Sequence, residues 1–402
     1  MDRLSASRVQ RVTDVALLML FIVALILPSL DMLFHVGSTR TLAENRRREE
    51  PPGLPNDWAS LQAFPRAFDA YWNDSFGFRS TLIRLHTRSK LLLGASSLNS
   101  VVVGQEPWLF YSAAQSMEIY AGKLPMSADE LVTWQRELEA RTDWMASRGG
   151  YYLLVVAPNK ESIYGEHLPS ASSAGQTRLD QLVAHLRTHS TVRILDLRDC
   201  LRREKATRNV YFYTDTHWND FGAYAAYSEL FTRLTEAYPS MRPRSRDTFQ
   251  LGTPVLWYGD LAQMLGMNEL LEETRIELIP DTPYGAVQVE TDQSKPAGRY
   301  RATMRGSPAG PRAVVFHDSF FLPPEERGDP ARAATAAKLR AQSAFRFVPL
   351  LAENFSHSEF TWSGFDPDLV TREGASLVIQ EVVERALRVE PEGRAPRVDL
   401  NH

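Results

Sequence analysis

Four short apolar runs limit what this chain can fold into more than any other feature of it. Tyr151 to Ala157 reads Tyr-Tyr-Leu-Leu-Val-Val-Ala and is closed by Pro158; Ala313 to Phe316 and Leu377 to Ile379 are shorter, and Val192 to Leu197 is broken only by Arg193 and Asp196. Runs of this length that are apolar at successive positions read as strands buried on both faces. Helical sequence lies between them. Ser127 with Glu130 three residues later forms a capping box that opens a helix through about Ser147, and Thr177 to His189 and Asp220 to Ala237 carry the helical period. A final helix is expected near Arg385. Short buried strands alternating with amphipathic helices predict an α/β fold, with a parallel sheet covered on both faces.

The remaining organisation follows from punctuation and period. The globular domain is expected over 58–390, beginning where Phe64, Phe68, Tyr71 and Trp72 recur at helical spacing and Leu82, Leu85 and Leu92 continue the pattern after Gly77. Such an aromatic stripe reads as core. Val101 to Val103 and Trp108 to Tyr111, turned by Gly104 to Pro107, read as a hairpin. Residues 242–309 break the strand–helix rhythm with alternating stretches such as Arg275 to Leu278 and Val287 to Glu290, and are expected to be an insertion. The tail over 391–402 is expected to be flexible.

Residues 15–34 are a different kind of sequence. They run almost without a polar interruption from Val15 to Leu30 and resume after Asp31 with Met32, Leu33 and Phe34. A spanning helix needs roughly 17 to 25 residues, so the segment suffices. A cleaved signal peptide is the alternative, but no A-x-A-like site follows in Leu27-Pro28-Ser29-Leu30-Asp31-Met32. The reading is an uncleaved transmembrane anchor, preceded by a cytoplasmic leader over 1–14 and followed by a polar, proline-bearing linker over 35–57. Arg3, Arg8 and Arg11 precede the span and Arg40, Arg46, Arg47 and Arg48 follow it, so positive charge alone does not fix the orientation. A lone N-terminal span behind a short leader leaves the long domain outside the cytoplasm.

Charge and thiol content remove whole classes of function. Lys plus Arg is 45 and Asp plus Glu is 49, a net charge of −4, so the basic field that nucleic-acid binding requires is missing. With one cysteine, Cys200, the chain forms no internal disulfide and no multi-cysteine zinc site. Cys200, in Leu197-Arg198-Asp199-Cys200-Leu201, reads as a small packed side chain.

Two segments put reactive side chains at strand ends, where an α/β sheet presents its active site. One is Tyr213-Thr214-Asp215-Thr216-His217-Trp218-Asn219; the other is Val314-Val315-Phe316-His317-Asp318-Ser319-Phe320-Phe321, in which a strand runs into a serine. A serine hydroxyl holds its proton tightly at neutral pH and needs a general base, oriented in turn by a carboxylate. Asp215 and His217 are spaced so that the carboxylate can hold one imidazole nitrogen while the other faces Ser319. In the bland reading His217 is a core histidine beside Trp218 and Ser319 merely ends its strand. Lys160 either holds an anionic sugar or points into water. His167 and His357 are the remaining candidates to join His217 around a metal, without H-x-H or H-E-x-x-H spacing to support them.

Asp215-Thr216-His217-Trp218-Asn219 together with Asp318-Ser319-Phe320 resembles the alginate O-acetyltransferase family of SGNH-hydrolase-like proteins, in which a D-x-H motif precedes the serine motif. Glu44-Asn45-Arg46, Phe76-Gly77-Phe78-Arg79, Gly104 with Trp108-Leu109-Phe110, Pro158-Asn159-Lys160-Glu161 with Tyr164 and Leu168-Pro169, Gly259-Asp260-Leu261 and Val382-Val383-Glu384-Arg385 match in the same order, over residues 43 to 386. The resemblance implies an SGNH-hydrolase-like three-layer parallel sheet. It implies Ser319 as nucleophile, His217 as base and Asp215 as the base's partner. His317 departs from the glycine that many relatives have before Asp-Ser, a change that bears on the oxyanion site. The backbone N–H of Ser319 is the expected first oxyanion donor, and Asn354 or Asn159 is the candidate second. Asn354 equally reads as a turn residue.

The expected function is a membrane-anchored O-acetyltransferase that decorates hydroxyls of an exported polysaccharide through a serine acyl-enzyme. Its catalytic domain would lie in the periplasm, held to the inner membrane by the N-terminal helix. That chemistry requires no metal and no bound organic cofactor. Acetyl-coenzyme A is absent outside the membrane, and the resemblance implies a multi-pass membrane acyltransferase as the partner that relays the acetyl group. A carbohydrate acetylesterase using the same triad and a non-catalytic scaffold of a polysaccharide-export complex are the alternatives.

Overall fold

The computed structural model describes residues 2–34, 49–105, 108–169, 174–268, 270–291, 301–321, 347–391 and 393. The expected linker over 35–57 and tail over 391–402 lie largely outside them. Two compact units are present, Met1–Ser97 together with Gln263–Met267, and Leu98–Ala262 together with Asn268–His402. The second unit begins at Leu98.

The first unit contains α1 (Asp2–Phe34), α2 (Trp58–Ser75) and α3 (Arg79–Leu92). Within α1, Gln10–Asp31 is long and apolar enough to cross a membrane, with mean hydropathy 2.3. Asp57 caps α2 in a capping box with Ser60. The aromatic stripe on α2 is correctly placed on one face but is not core, because no residue of this helix is buried. Periodicity reports that a face is apolar; it does not report what covers the face.

In the second unit, β1 (Val101–Val103) and β2 (Leu109–Tyr111) form the expected antiparallel hairpin. The chain continues through α4 (Ser116–Tyr120), α5 (Ala128–Ala146), β3 (Tyr151–Ala157), α6 (Lys160–Tyr164), α7 (Arg178–His189), β4 (Ile194–Asp196), α8 (Arg198–Lys205) and α9 (Asp220–Ala237). Three of these helices begin where their side chains dictate. Ser127 and Glu130 close a capping box on α5, Thr177 and Asp180 do so on α7, and the Asn219 carboxamide accepts the N–H groups of Phe221 and Gly222 at the start of α9.

Next come β5 (Phe249–Leu251), β6 (Val255–Trp257), α10 (Asp260–Met264), β7 (Glu273–Arg275), β8 (Leu278–Pro280), β9 (Val287–Thr291), β10 (Arg301–Arg305) and β11 (Arg312–Phe316). The last elements are α11 (Phe347–Ala352), β12 (His357–Thr361), α12 (Pro367–Glu373) and β13 (Leu377–Val383). A 3₁₀ turn over Glu384–Arg388 takes the place of the helix expected near Arg385.

The main sheet has the order β4-β3-β13-β11-β12-β10-β9. Its first five strands are parallel, as expected, whereas β10 runs antiparallel to both β12 and β9 and makes the sheet mixed. Residues 242–309 therefore hold two small antiparallel pairs, β5–β8 and β6–β7, and also supply this sheet's antiparallel edge. Alternation along the central strands separates two cores. Leu153, Val155, Val315, Leu377 and Ile379 face one side, packed with Leu201 of α8, Leu230 and Phe231 of α9 and Leu350 of α11. Tyr152, Leu154, Val314, Phe316 and Val378 face the other, packed with Leu138 of α5, Leu182 of α7 and Val370 of α12. The three-layer α/β arrangement follows from that two-sided burial.

Candidate active site

The carboxyl ends of β3, β11 and β13 converge on one place. Beyond β11, the chain makes His317 and Asp318 and enters a 3₁₀ turn at Ser319–Phe321. Asp318 fixes this turn: its Oδ1 accepts the Phe320 N–H at 2.9 Å and its Oδ2 accepts the Val383 N–H at 2.9 Å, at the end of β13. The Asp318 N–H in turn donates to Glu381 Oε2 at 2.9 Å. Burial, reinforced by the Asp318 charge, raises the Glu381 carboxyl well above the usual range behind the serine turn.

Asp215 and His217 arrive on a tight loop ahead of α9. Tyr211 bridges to Trp218 across it, and the Asn219 N–H donates to the Val210 carbonyl at 3.0 Å. His217 Nδ1 donates to Asp215 Oδ1 at 2.7 Å, because a carboxylate only accepts. That tautomer leaves Nε2 as the acceptor for the Ser319 hydroxyl, at 2.8 Å. Asp215 Oδ1 also takes the His217 N–H at 2.9 Å, and Oδ2 takes the Asp260 N–H at 2.8 Å. Phe320 packs edge-on against both the His217 ring and Trp218, each at 4.9 Å. The Asp215 side chain is 4% exposed and that of His217 18%, so the carboxylate is sealed while the imidazole keeps an open edge.

Electrostatics follow from this packing. Burial opposes the charged form of Asp215, but the His217 hydrogen bond and charge overcome it and hold the carboxyl far below its ordinary value. Burial likewise opposes the imidazolium of His217, and the Asp215 hydrogen bond and the charges of Asp215 and Asp260 outweigh it, so its pKa is raised. Asp260 lies 3.8 Å from Nδ1 through its Oδ2, while its Oδ1 accepts the Thr216 N–H at 2.8 Å. Burial and the neighbouring Asp215 charge raise its pKa.

Lys160 has neither of its expected roles. It is 2% exposed, and its Nζ donates to the carbonyls of Phe212 at 3.0 Å, Tyr213 at 3.1 Å and Asp215 at 2.6 Å. Burial brings its pKa down to about 8, partly offset by Glu273, Asp215 and Asp260. It is a buried brace for the loop that carries Asp215. Glu273 supports the same loop, accepting the N–H groups of Tyr213 and Thr214 at 2.8 Å each.

The two asparagines separate. Asn159 follows β3 on the Ser319 side of the sheet, where it is buried and its Oδ1 accepts from Arg385 at 3.4 Å. Asn354 lies before β12, at the amino end of the parallel strands, with its Oδ1 accepting the Arg242 N–H at 2.9 Å. Five residues of β11 at about 3.3 Å each stand between that end and Ser319, so Asn354 is not brought to the serine. His317 is 2% exposed, donates from Nδ1 to the Asp318 carbonyl at 2.8 Å and stacks on Phe321 at 6.0 Å. It occupies the core rather than the space in front of Ser319.

His167 stacks on Trp108 at 4.8 Å and His357 pairs with Glu373 at 3.1 Å, so neither joins His217. Asp215, His217 and Asp260 do bring three ligand-type atoms within 4.8 Å of one another. Nδ1 is committed as donor to Asp215, however, and cannot offer a lone pair to a metal there. Cys200 is buried, donates to the Leu197 carbonyl at 3.1 Å and has its thiol pushed up to about 12 by burial, so it is a packed side chain.

Sequence reasoning gave no role to Asp260, Glu273, Glu381 or Arg385. Gly259 carried a readable signal, since a Cβ there would fall 2.4 Å from the Asp215 Cβ and only glycine permits that approach.

Comparison with known proteins agrees with this architecture. Residues 101–299 match the model of the family described as ALGX: SGNH hydrolase-like domain, acetyltransferase AlgX. The probable alginate O-acetylase AlgJ of Pseudomonas aeruginosa is 25% identical over 209 residues, 52% of this chain and 51% of that protein. The corresponding protein of Azotobacter vinelandii is 24% identical over 212 residues, 52% of each chain. The match thus spans about half the length of these relatives. Among solved structures, Bacillus cereus PatB1 superposes with a TM-score of 0.51 at 14% identity, over 73% of this chain and 98% of that one, a likeness of fold. Residues 101–299 are thus similar to an SGNH hydrolase-like acetyltransferase domain, the likeness that the motifs of this chain also carry.

Proposed function

We propose that this protein is a serine-dependent O-acetyltransferase acting on hydroxyls of an exported polysaccharide. The observation that carries the reading is the relay Ser319 Oγ to His217 Nε2 at 2.8 Å and His217 Nδ1 to Asp215 at 2.7 Å. It supplies what acyl transfer at neutral pH demands: an oriented base that takes the serine proton as the hydroxyl attacks.

In the first half-reaction, Ser319 Oγ adds to the acetyl carbonyl while its proton passes to Nε2. The tetrahedral adduct collapses, the donor's leaving group takes that proton, and an acetyl-serine ester remains. In the second, a sugar hydroxyl gives its proton to Nε2 and adds to the ester carbonyl, and Ser319 departs with the proton restored. Asp215 stays ionised throughout and stabilises the imidazolium in both halves. Asn159 and the Ser319 N–H are the candidate oxyanion donors.

The N-terminal apolar helix would anchor the domain to the inner membrane, with the site in the periplasm. A multi-pass membrane acyltransferase would relay the acetyl group from the cytoplasm. Replacing Ser319→Ala should abolish polymer acetylation in cells and labelling by a serine-reactive sulfonyl probe. Full acetylation by that variant would end the proposal.

A further inference from the structure

We infer that α2 and α3 lie in the headgroup layer of a bilayer, and that the apolar stripe along them is a lipid-docking surface. This rests on reading α1 as the membrane span.

The stripe is built, and none of it is buried by the described residues. Leu61, Phe64, Phe68, Tyr71 and Trp72 fall on one face of α2, with Phe64 stacked on Phe68 at 5.9 Å and Phe68 on Trp72 at 6.0 Å. Gln62, Arg66, Asp69 and Asn73 occupy the other face. Trp58 is 72% exposed, Leu61 48% and Phe68 43%. On α3, Leu82, Leu85 and Leu92 make a second row, 48%, 60% and 81% exposed. An apolar stripe of this length is not left to water.

The junction with α1 identifies the occupant. Asp31, at the end of the apolar stretch, accepts the Phe78 N–H at 2.8 Å through its Oδ2. A Cβ on Gly77 would fall 2.0 Å from the Pro28 carbonyl oxygen, so the turn between α2 and α3 presses against the last turns of that stretch. The two helices are thereby held at the level where α1 leaves hydrocarbon. Tryptophan and tyrosine favour that depth, because their rings are apolar with one polar edge. Arg79, Arg84, Arg88 and Lys90 give α3 four cationic residues and no acidic one, the charge that anionic headgroups attract.

The test uses the full chain with Cys200→Ala, reconstituted in phosphatidylethanolamine–phosphatidylglycerol vesicles, with an environment-sensitive fluorophore on one introduced cysteine at a time. A label at Leu61→Cys or Leu85→Cys should shift to the blue and be quenched by lipids bearing a shallow spin label. A label at Arg66→Cys, on the polar face, should do neither. A Leu20→Cys label, in the middle of α1, reports the span independently through a deep spin label. Deep quenching at position 20 with an aqueous signal at 61 and 85 would overturn the inference and leave the anchor standing, whatever protein covers the stripe in cells. Equal quenching at 61 and 66 would also overturn it. Shallow quenching at 61 without deep quenching at 20 would remove the span and, with it, the reading on which the inference rests.

Discussion

The Lys160 ammonium sits 2.6 Å from the carbonyl oxygen of Asp215, the residue whose carboxylate holds His217. A buried cation thus grips the backbone of the loop that carries Asp215 and His217 and leaves the Asp215 side chain to the imidazole. Two further carbonyls, those of Phe212 and Tyr213, share the same ammonium, so the loop is fixed at three points by one side chain from the end of β3. The sheet in this way sets the position of a loop that belongs to no strand.

Lys160→Met should therefore unseat the loop without emptying the space. Three buried carbonyls lose a charged donor, and hydrogen bonds to charged groups contribute about 1.5–3 kcal/mol each, so the variant should unfold at a markedly lower temperature. Acetyl transfer should fall by about 10- to 100-fold through misplacement of Asp215. Lys160→Arg should not restore it, because a planar guanidinium does not fit three converging carbonyls. Thermal denaturation and an initial-rate assay of both variants check this, and a fully active Lys160→Met would remove Lys160 from the positioning machinery.

Asp215→Asn tests the orienting carboxylate itself. The amide can donate to Nδ1, which would move the ring proton to Nε2 and leave no lone pair for the Ser319 hydroxyl. Turnover should fall by about 10³- to 10⁴-fold, as expected for removal of a triad carboxylate, with the fold retained by circular dichroism. Labelling of Ser319 by a sulfonyl probe should fall in parallel, since it depends on the same base.

How much of this was legible in the sequence depends on whether the signal was local. Tyr151 to Ala157 and Asp220 to Ala237 declared themselves, because burial on two faces and the helical period are written in neighbouring residues. The Asp215–His217 spacing was legible for the same reason, and Ser319 because it follows a strand. Lys160 was not, since nothing near it in sequence shows that carbonyls 52 to 55 residues away converge on it. Asn354 misled because an asparagine before a strand looks the same at either end of a sheet. The stripe on α2 misled differently: its pattern was right, and only the structure shows that the described residues bury none of it.

Asp260 offers a finer test, because it acts on His217 by charge at 3.8 Å while bonding Thr216. Its carboxylate is one of the charges that raise the His217 pKa. The base must be neutral to accept the serine proton, so activity should fall as pH drops through that raised value. Asp260→Asn keeps an oxygen for the Thr216 N–H and removes the charge. The acid limb of the rate profile should then move to lower pH, with little change on its plateau. A profile that does not move would show that Asp260 serves only to hold Thr216.

Stability should run against activity over the same range. Burial pushes Glu161 up to about 7 and Asp220 up to about 6, above their ordinary 4.5 and 3.8. A carboxyl whose folded pKa is raised stabilises the fold fully below its unfolded value and loses that contribution as pH rises through the folded one. His217, also raised, works in the same direction, through its own window above 6.5. His317 and His185, both depressed by burial, act oppositely as pH falls below their ordinary 6.5, and the depressed Asp215 does so as pH falls below its ordinary 3.8. Across its own interval, from 4.5 to about 7 for Glu161 and from 3.8 to about 6 for Asp220, each raised carboxyl should lose on the order of 3 kcal/mol. The unfolding temperature should therefore be higher near about pH 5 than near about pH 7.5, while acetyl transfer rises across that interval as His217 loses its proton. Glu161→Gln should flatten part of the stability slope and leave the acid limb of the rate profile in place. A stability slope that Glu161→Gln leaves unaltered would show that this carboxyl does not gain its proton on folding.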